Sequence, residues 1–171
     1  LAYRLAPLVS QVVACDLTES MLGVVVEQAK LRGQSNIATR KAAAESLPFE
    51  TATFDVVATR FSAHHWHAFA EGIAEMARVL KPGGRLLVAV PAGMEMWSGH
   101  DVALGHVRRY ERQELLDLVE RHGFLVDEIT SWNVLLRPVA KLRRKRTAGP
   151  DDSTSEMEHV AAPINAGLRA A

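Results

Sequence analysis

The sequence predicts an α/β fold built on a mostly parallel sheet. Short β-branched runs alternate with longer segments of helical period, the pattern of strand–helix–strand units. The chain has 171 residues, the size of about one domain. No internal repeat or long low-complexity tract interrupts the pattern.

Residues 1–9 read as the end of a helix, with Leu1, Leu5 and Leu8 on one face. Residues 12–15 form a short buried strand that ends at Asp16. Thr18 is placed to cap the next helix, Glu19 suits its positive end and Gly33 stops it. Leu22, Val25, Val26 and Ala29 line its apolar side. Residues 36–41 make a further strand, and residues 54–59 a strand buried on both faces. Residues 68–80 form an amphipathic helix with Phe69, Ile73, Met76, Ala77 and Leu80 inward. Pro82-Gly83-Gly84 turns the chain into a strand at 85–90. A helix at 111–122 ends at Gly123, and residues 124–129 form the last clear strand.

Composition narrows the function classes. Hydrophobic residues at 48% and charged residues at 23% are ordinary for a soluble globular chain. A net charge of zero argues against a general nucleic-acid binder. The single cysteine, Cys15, cannot make an internal disulfide or a multi-cysteine zinc site, which fits a reducing, cytoplasmic setting. No apolar run approaches the roughly 18 residues of a membrane span, and the N-terminus lacks a signal-peptide pattern. The start at Leu1, directly in a helical pattern, suggests a piece of a longer or processed chain.

Asp16 is the first candidate site residue. A carboxylate at the carboxyl end of a strand can accept both hydroxyls of a cofactor ribose, where doubly wound sheets bind ligands. Taken alone it serves equally as a helix-capping acid or in a nicotinamide site.

Three later runs, taken with Asp16-Leu17-Thr18-Glu19-Ser20-Met21-Leu22, separate these readings. They are Ala44-Glu45-Ser46-Leu47-Pro48-Phe49, Phe54-Asp55-Val56-Val57 and Arg78-Val79-Leu80-Lys81-Pro82-Gly83-Gly84-Arg85. In this order and spacing the chain resembles the type 11 family of class I S-adenosylmethionine-dependent methyltransferases over residues 1–90, and more loosely to 129. The resemblance implies a Rossmann-like three-layer α/β/α sandwich, with S-adenosyl-L-methionine as cofactor. It implies that Asp16 holds the ribose, that Leu17 packs on the adenine and that Ala44 and Glu45 close over the adenine edge. Arg60 and Phe61 would lie near the methionine end. Two departures stand out. Ala43 occupies a position where the family often has an aspartate, and the family's D-x-G-x-G-x-G run is absent. The first strand and the final antiparallel strand are therefore expected to be missing, with a gap between the family's second and fourth strands.

His64, His65 and His67 cluster around Trp66 after the third strand of this chain. Their spacing, with no cysteine or carboxylate pair nearby, argues against a metal site. A histidine here could take a proton from an oxygen or nitrogen acceptor, with His64 and His65 the candidates; the other reading is a packed loop. The segment 100–110 resembles a stretch that covers the acceptor in a bacterial subgroup. His100, His106, Arg108, Arg109 and Tyr110 would then bind substrate, the arginines and tyrosine suiting an anionic group. Alternatively the arginines pair with Glu111, Glu114 or Asp117 and the loop is structural.

The division expected is a partial core over 1–136 and an extension over 137–171. In the extension, Lys141, Arg143, Arg144, Lys145 and Arg146 read as a solvated helix end, a membrane-surface contact or a phosphate patch. The function expected is methyl transfer to a small-molecule acceptor. A nicotinamide-dependent oxidoreductase and a non-catalytic truncated binding domain are the alternatives.

Overall fold

The structure, a computed structural model, describes residues 1–131. The expected boundary at 136/137 and the basic run Lys141–Arg146 lie outside the described residues.

The chain opens with α1 (Ala2–Leu5), which continues into a 3₁₀ turn (Ala6–Leu8) in place of one helix through residue 9. Pro7 within that turn has no N–H to extend an α-helical ladder. Then follow β1 (Val12–Asp16), α2 (Glu19–Leu31), β2 (Ile37–Lys41) and β3 (Phe54–Arg60). After a 3₁₀ turn (Ala63–His65) come α3 (Phe69–Val79) and β4 (Leu80–Ala89). A second 3₁₀ turn (Met94–Met96) precedes α4 (Gly99–Ala103) and α5 (Arg112–Arg121).

Among the described residues the named strands pair in parallel, but the sheet is in two halves. β1 pairs with β2 from Val12↔Ile37 to Asp16↔Lys41, and β3 pairs with β4 from Phe54↔Leu80 to Arg60↔Ala89. Among the described residues no ladder joins β1 to β3. The break falls where the sequence led us to expect a gap. One burial expectation is not met. β3 is not buried on both faces: Val56 and Leu87 share one face of the β3–β4 pair and are 49% and 53% exposed. The other face carries Val57, Leu86 and Val88 against the core.

That core is built by α3. Phe69, Ile73, Met76 and Val79 recur at helical spacing and are all buried. Ala63 and Tyr110 join Phe69, Ile73 and Met76 in one cluster, with Leu115, Leu118 and Val119 of α5 packed against it. Burial of each large apolar side chain contributes roughly 1.5–3 kcal/mol. On α2, Leu22 and Ala29 are buried, whereas Val26 is exposed.

Two strand expectations change. The Pro82-Gly83-Gly84 turn lies inside β4, as an irregularity between the Phe54↔Leu80 and Val56↔Arg85 pairs, with Gly83 at φ +77°. Residues 124–129 are not a strand. They join no ladder among the described residues, and Leu125 is 93% exposed.

The two halves are tied by residues 42–49. Ala42 N–H donates to the Asp16 carbonyl at 3.1 Å. Further along, the Arg78 guanidinium donates to the carbonyls of Phe49 (2.8 Å) and Leu47 (2.9 Å), while its Nε donates to Glu75 at 2.7 Å. Glu75 in turn accepts the Leu47 N–H at 2.9 Å. These contacts explain why Arg78, Leu47 and Phe49 occur together in the sequence. No helix among the described residues is long and apolar enough to cross a membrane.

Two glycines in helices give opposite predictions. A Cβ at Gly23 in α2 would meet nothing within 4 Å, so Gly23→Ala should stabilise by roughly 0.5–1 kcal/mol through helix propensity. A Cβ at Gly72 in α3 would sit 2.8 Å from the Trp66 ring. Overpacking there costs about 1–3 kcal/mol and outweighs the same propensity gain. Urea unfolding should move the two midpoints in opposite directions; a rise for Gly72→Ala would contradict the packing described.

Candidate functional site

Asp16 closes β1 and lies just before α2. Its Oδ1 accepts the Thr18 N–H at 2.8 Å and the Thr18 hydroxyl at 2.7 Å. Thr18 stands at the helix N-cap, as expected, but its hydroxyl is spent on Asp16 and not on the helix. The carboxylate is thereby oriented through one oxygen. Leu17 beside it is 61% exposed. Ala44 and Glu45 lie, half-buried, inside a tight turn closed by an Ala43↔Ser46 bridge.

This end of the molecule connects to the histidines by contact. Ala44 lies against Gly72, and Gly72 against the Trp66 ring. The Trp66 indole N–H donates to Ser62 Oγ at 3.0 Å, which anchors the His-His-Trp run. The turn into that run begins at Phe61, whose φ of +56° is unusual for a bulky residue. Its ring is 73% exposed, with the Arg60 guanidinium 4.3 Å from its centre.

His106 meets His64 and His65 edge to face, and the His64 and His65 rings are tilted against each other. Ring centres are 4.3 Å apart for His64–His65, 4.2 Å for His64–His106 and 5.2 Å for His65–His106. The two segments are pinned by Val107 N–H donating to the His64 carbonyl at 2.8 Å. His65 Nδ1 lies 3.0 Å from the Gly105 carbonyl. A carbonyl only accepts, so this nitrogen carries the proton and Nε2 keeps its lone pair. Gly105 presents that carbonyl from a φ of +66°, where glycine is favoured. His106 Nδ1 lies 2.9 Å from Asp101 Oδ1, which sets the same tautomer there. His64 is 5% exposed, and its Nδ1 has no partner among the described residues. Burial first, then the neighbouring His106 and His65, push its imidazole down to about 4.

Asp101 organises the covering segment. It is fully buried and accepts from Arg109 Nε (2.9 Å) and Nη2 (2.8 Å), from His106, and from the Ser98 N–H (3.0 Å). Burial works to raise its carboxyl pKa, but the bonds from Arg109 and His106 hold it below the usual range. Ser98 and Asp101 also form a reciprocal capping box on α4.

The remaining candidate residues divide. Arg109 and Tyr110 are buried and occupied within the protein: Arg109 on Asp101, and the Tyr110 hydroxyl donating to the Ala63 carbonyl at 2.8 Å. Burial pushes the Tyr110 phenol up to about 12, so it stays protonated to donate. Both build the site and are not offered to a substrate anion, contrary to expectation. Arg108 pairs with Glu114, one of the partners weighed for a structural loop, and stacks 4.8 Å over Tyr110. His100 is half-buried on α4, and His67 is exposed outside the cluster. Sequence reading grouped His67 with His64 and His65; the fold replaces it with His106. It missed Asp101, for which the Ser98-x-x-Asp101 spacing was the available signal.

Two outcomes follow. Asp101→Asn leaves the buried Arg109 without a countercharge and should cost about 3–5 kcal/mol by urea unfolding, whereas exposed Asp127→Asn should cost little. Neutral His64 contributes stability that is complete above pH 6.5 and lost as pH falls towards 4, at most about 3 kcal/mol. In metal-free buffer, His64→Gln should flatten stability over that window; an unchanged slope would refute the assignment.

Comparison with known proteins places this geometry. A methyltransferase-domain family profile matches residues 1–88. Escherichia coli YafE, an uncharacterized protein, is 40% identical over 81% of this chain and 71% of its own. Bacillus subtilis YcgJ, named an uncharacterized methyltransferase, is 26% identical over 85% of this chain and 61% of its own. The crystal structure of YcgJ superposes with a TM-score of 0.73 at 25% identity, over 97% of this chain and 75% of that one. Bacillus halodurans BH2331 gives 0.68 at 32% identity, over 72% and 57%. The chain belongs to the type 11 methyltransferase domain family, with its Rossmann-like fold and S-adenosylmethionine as the family's cofactor.

Proposed function

We propose that the protein transfers a methyl group from S-adenosyl-L-methionine to a small-molecule acceptor. The observation that carries this is Asp16: a carboxylate at the end of a parallel strand, oriented by Thr18 through Oδ1, in a chain of the methyltransferase family. The residues present fit the ribose and adenine half of the cofactor. Asp16 would accept from the ribose hydroxyls, and exposed Leu17 would cover the adenine beside Ala44 and Glu45. Arg60 and Phe61, at the end of β3, would border the methionine end.

When bound, the cofactor supplies an electrophilic methyl group. This chain's part is to align an acceptor against it and to take up a proton when the acceptor must lose one. His65 and His106 suit the second task, since each holds its proton on Nδ1 and presents a lone pair on Nε2. Buried His64, pushed down to about 4, is a weak base and serves better as a wall. The segment 98–110 roofs the histidines and would cover the acceptor, with His100 and Arg108 on its outer part.

A pseudomonad C-methyltransferase of ubiquinone and menaquinone biosynthesis is 45% identical over 50% of this chain and 34% of its own. A small cyclic acceptor is compatible with that likeness. The open edges of β1 and β3 favour one further reading, a domain that binds a partner through its exposed sheet.

Calorimetric titration with S-adenosylhomocysteine separates the two. Methyl transfer predicts saturable binding that Asp16→Ala weakens at least tenfold, since each charge-assisted bond contributes about 1.5–3 kcal/mol. A flat titration of a chain shown folded by circular dichroism would contradict catalytic competence and favour the binding domain.

A further inference from the structure

We infer that His64, His65 and His106 form a binding site for a divalent transition-metal ion of the zinc type. One ring nitrogen from each lies within 4.8 Å of the other two. Three imidazoles with one coordination position left open are a recurrent zinc donor set. Bonds of about 2.0–2.1 Å at tetrahedral angles require nitrogens roughly 3.4 Å apart. Rotations about both χ1 and χ2 would be needed to bring them there.

The surroundings fit a metal better than a packed ring cluster. Histidine ligands commonly give their second nitrogen to a carboxylate or carbonyl, which fixes the tautomer and frees the first for metal. His106 has such a partner in Asp101 and His65 in the Gly105 carbonyl. His64 is 95% buried, with Nδ1 unpartnered among the described residues, a costly arrangement that a ligand for this ring would help to explain. The backbone is held before any ion arrives, by Val107 N–H on the His64 carbonyl and His106 N–H on the Asp101 carbonyl. Arg109 opposes a cation here, but Asp101 lies between as its countercharge. Exposed His65 leaves a path of entry.

The ion would replace a histidine base by a Lewis acid, and the open position would take an ionisable hydroxyl of the acceptor. That use rests on the methyl-transfer reading; capture of the ion does not.

The test is titration of chelator-stripped protein with Zn²⁺ in the absence of S-adenosylhomocysteine, followed by calorimetry, with Co²⁺ absorption reporting the geometry. One ion per chain and a tetrahedral Co²⁺ spectrum are expected. His65→Ala and His106→Ala, each folded by circular dichroism, should weaken binding at least tenfold, and His67→Ala should leave it unchanged. No saturable uptake, or uptake insensitive to His65→Ala and His106→Ala, would overturn the site. S-adenosylhomocysteine titration in chelator then reports on the methyl-transfer reading separately.

Discussion

The segment 98–109 depends on one buried carboxylate. Asp101 lies wholly out of solvent, so its charge must be met within the protein. Arg109 meets it with two nitrogens, His106 with a third, and the Ser98 backbone with a fourth donor. Because these donors come from both ends of the segment 98–109, satisfying the charge folds the segment into one shape. The same bond that satisfies Asp101 sets the tautomer of His106. Electrostatics and site geometry are therefore one interaction in this part of the chain.

A second arrangement links the two half-sheets. Among the described residues the two half-sheets share no ladder, and residues 42–49 with what they touch link them. The Asp16 carbonyl holds the start of this loop, and Arg78 with Glu75 holds its end. Ala44, Gly72 and Trp66 form the contact between them. Trp66 then fixes the turn that carries His64 and His65. Residues diagnostic of the family thus act largely as fasteners, and two of the groups suited to chemistry, Asp16 and His65, stand at the points they fasten.

How much of this was legible in the sequence follows from which interactions are local. Parallel strands and helices were readable because Phe69, Ile73 and Met76, or Val12 to Asp16, declare their period within a few residues. Asp16 was readable because its role follows from the end of a strand. His106 beside His64 was not, because that approach depends on a loop more than 40 residues away folding back. Tyr110 was taken for a substrate ligand on its type, yet its hydroxyl is committed to Ala63, 47 residues earlier. The failure of residues 124–129 to form a strand has the same cause: β structure needs a partner edge that composition does not reveal.

In the methyl-transfer reading the ends of β1 and β3 face one ligand. Amide chemical-shift mapping of isotope-labelled protein during titration with S-adenosylhomocysteine tests it most directly. The account predicts concerted shifts at Asp16 to Thr18, Ala44, Glu45, Arg60 and Phe61, with little change on α5. Shifts confined to α5, or absent from Asp16 to Thr18 at saturation, would contradict it.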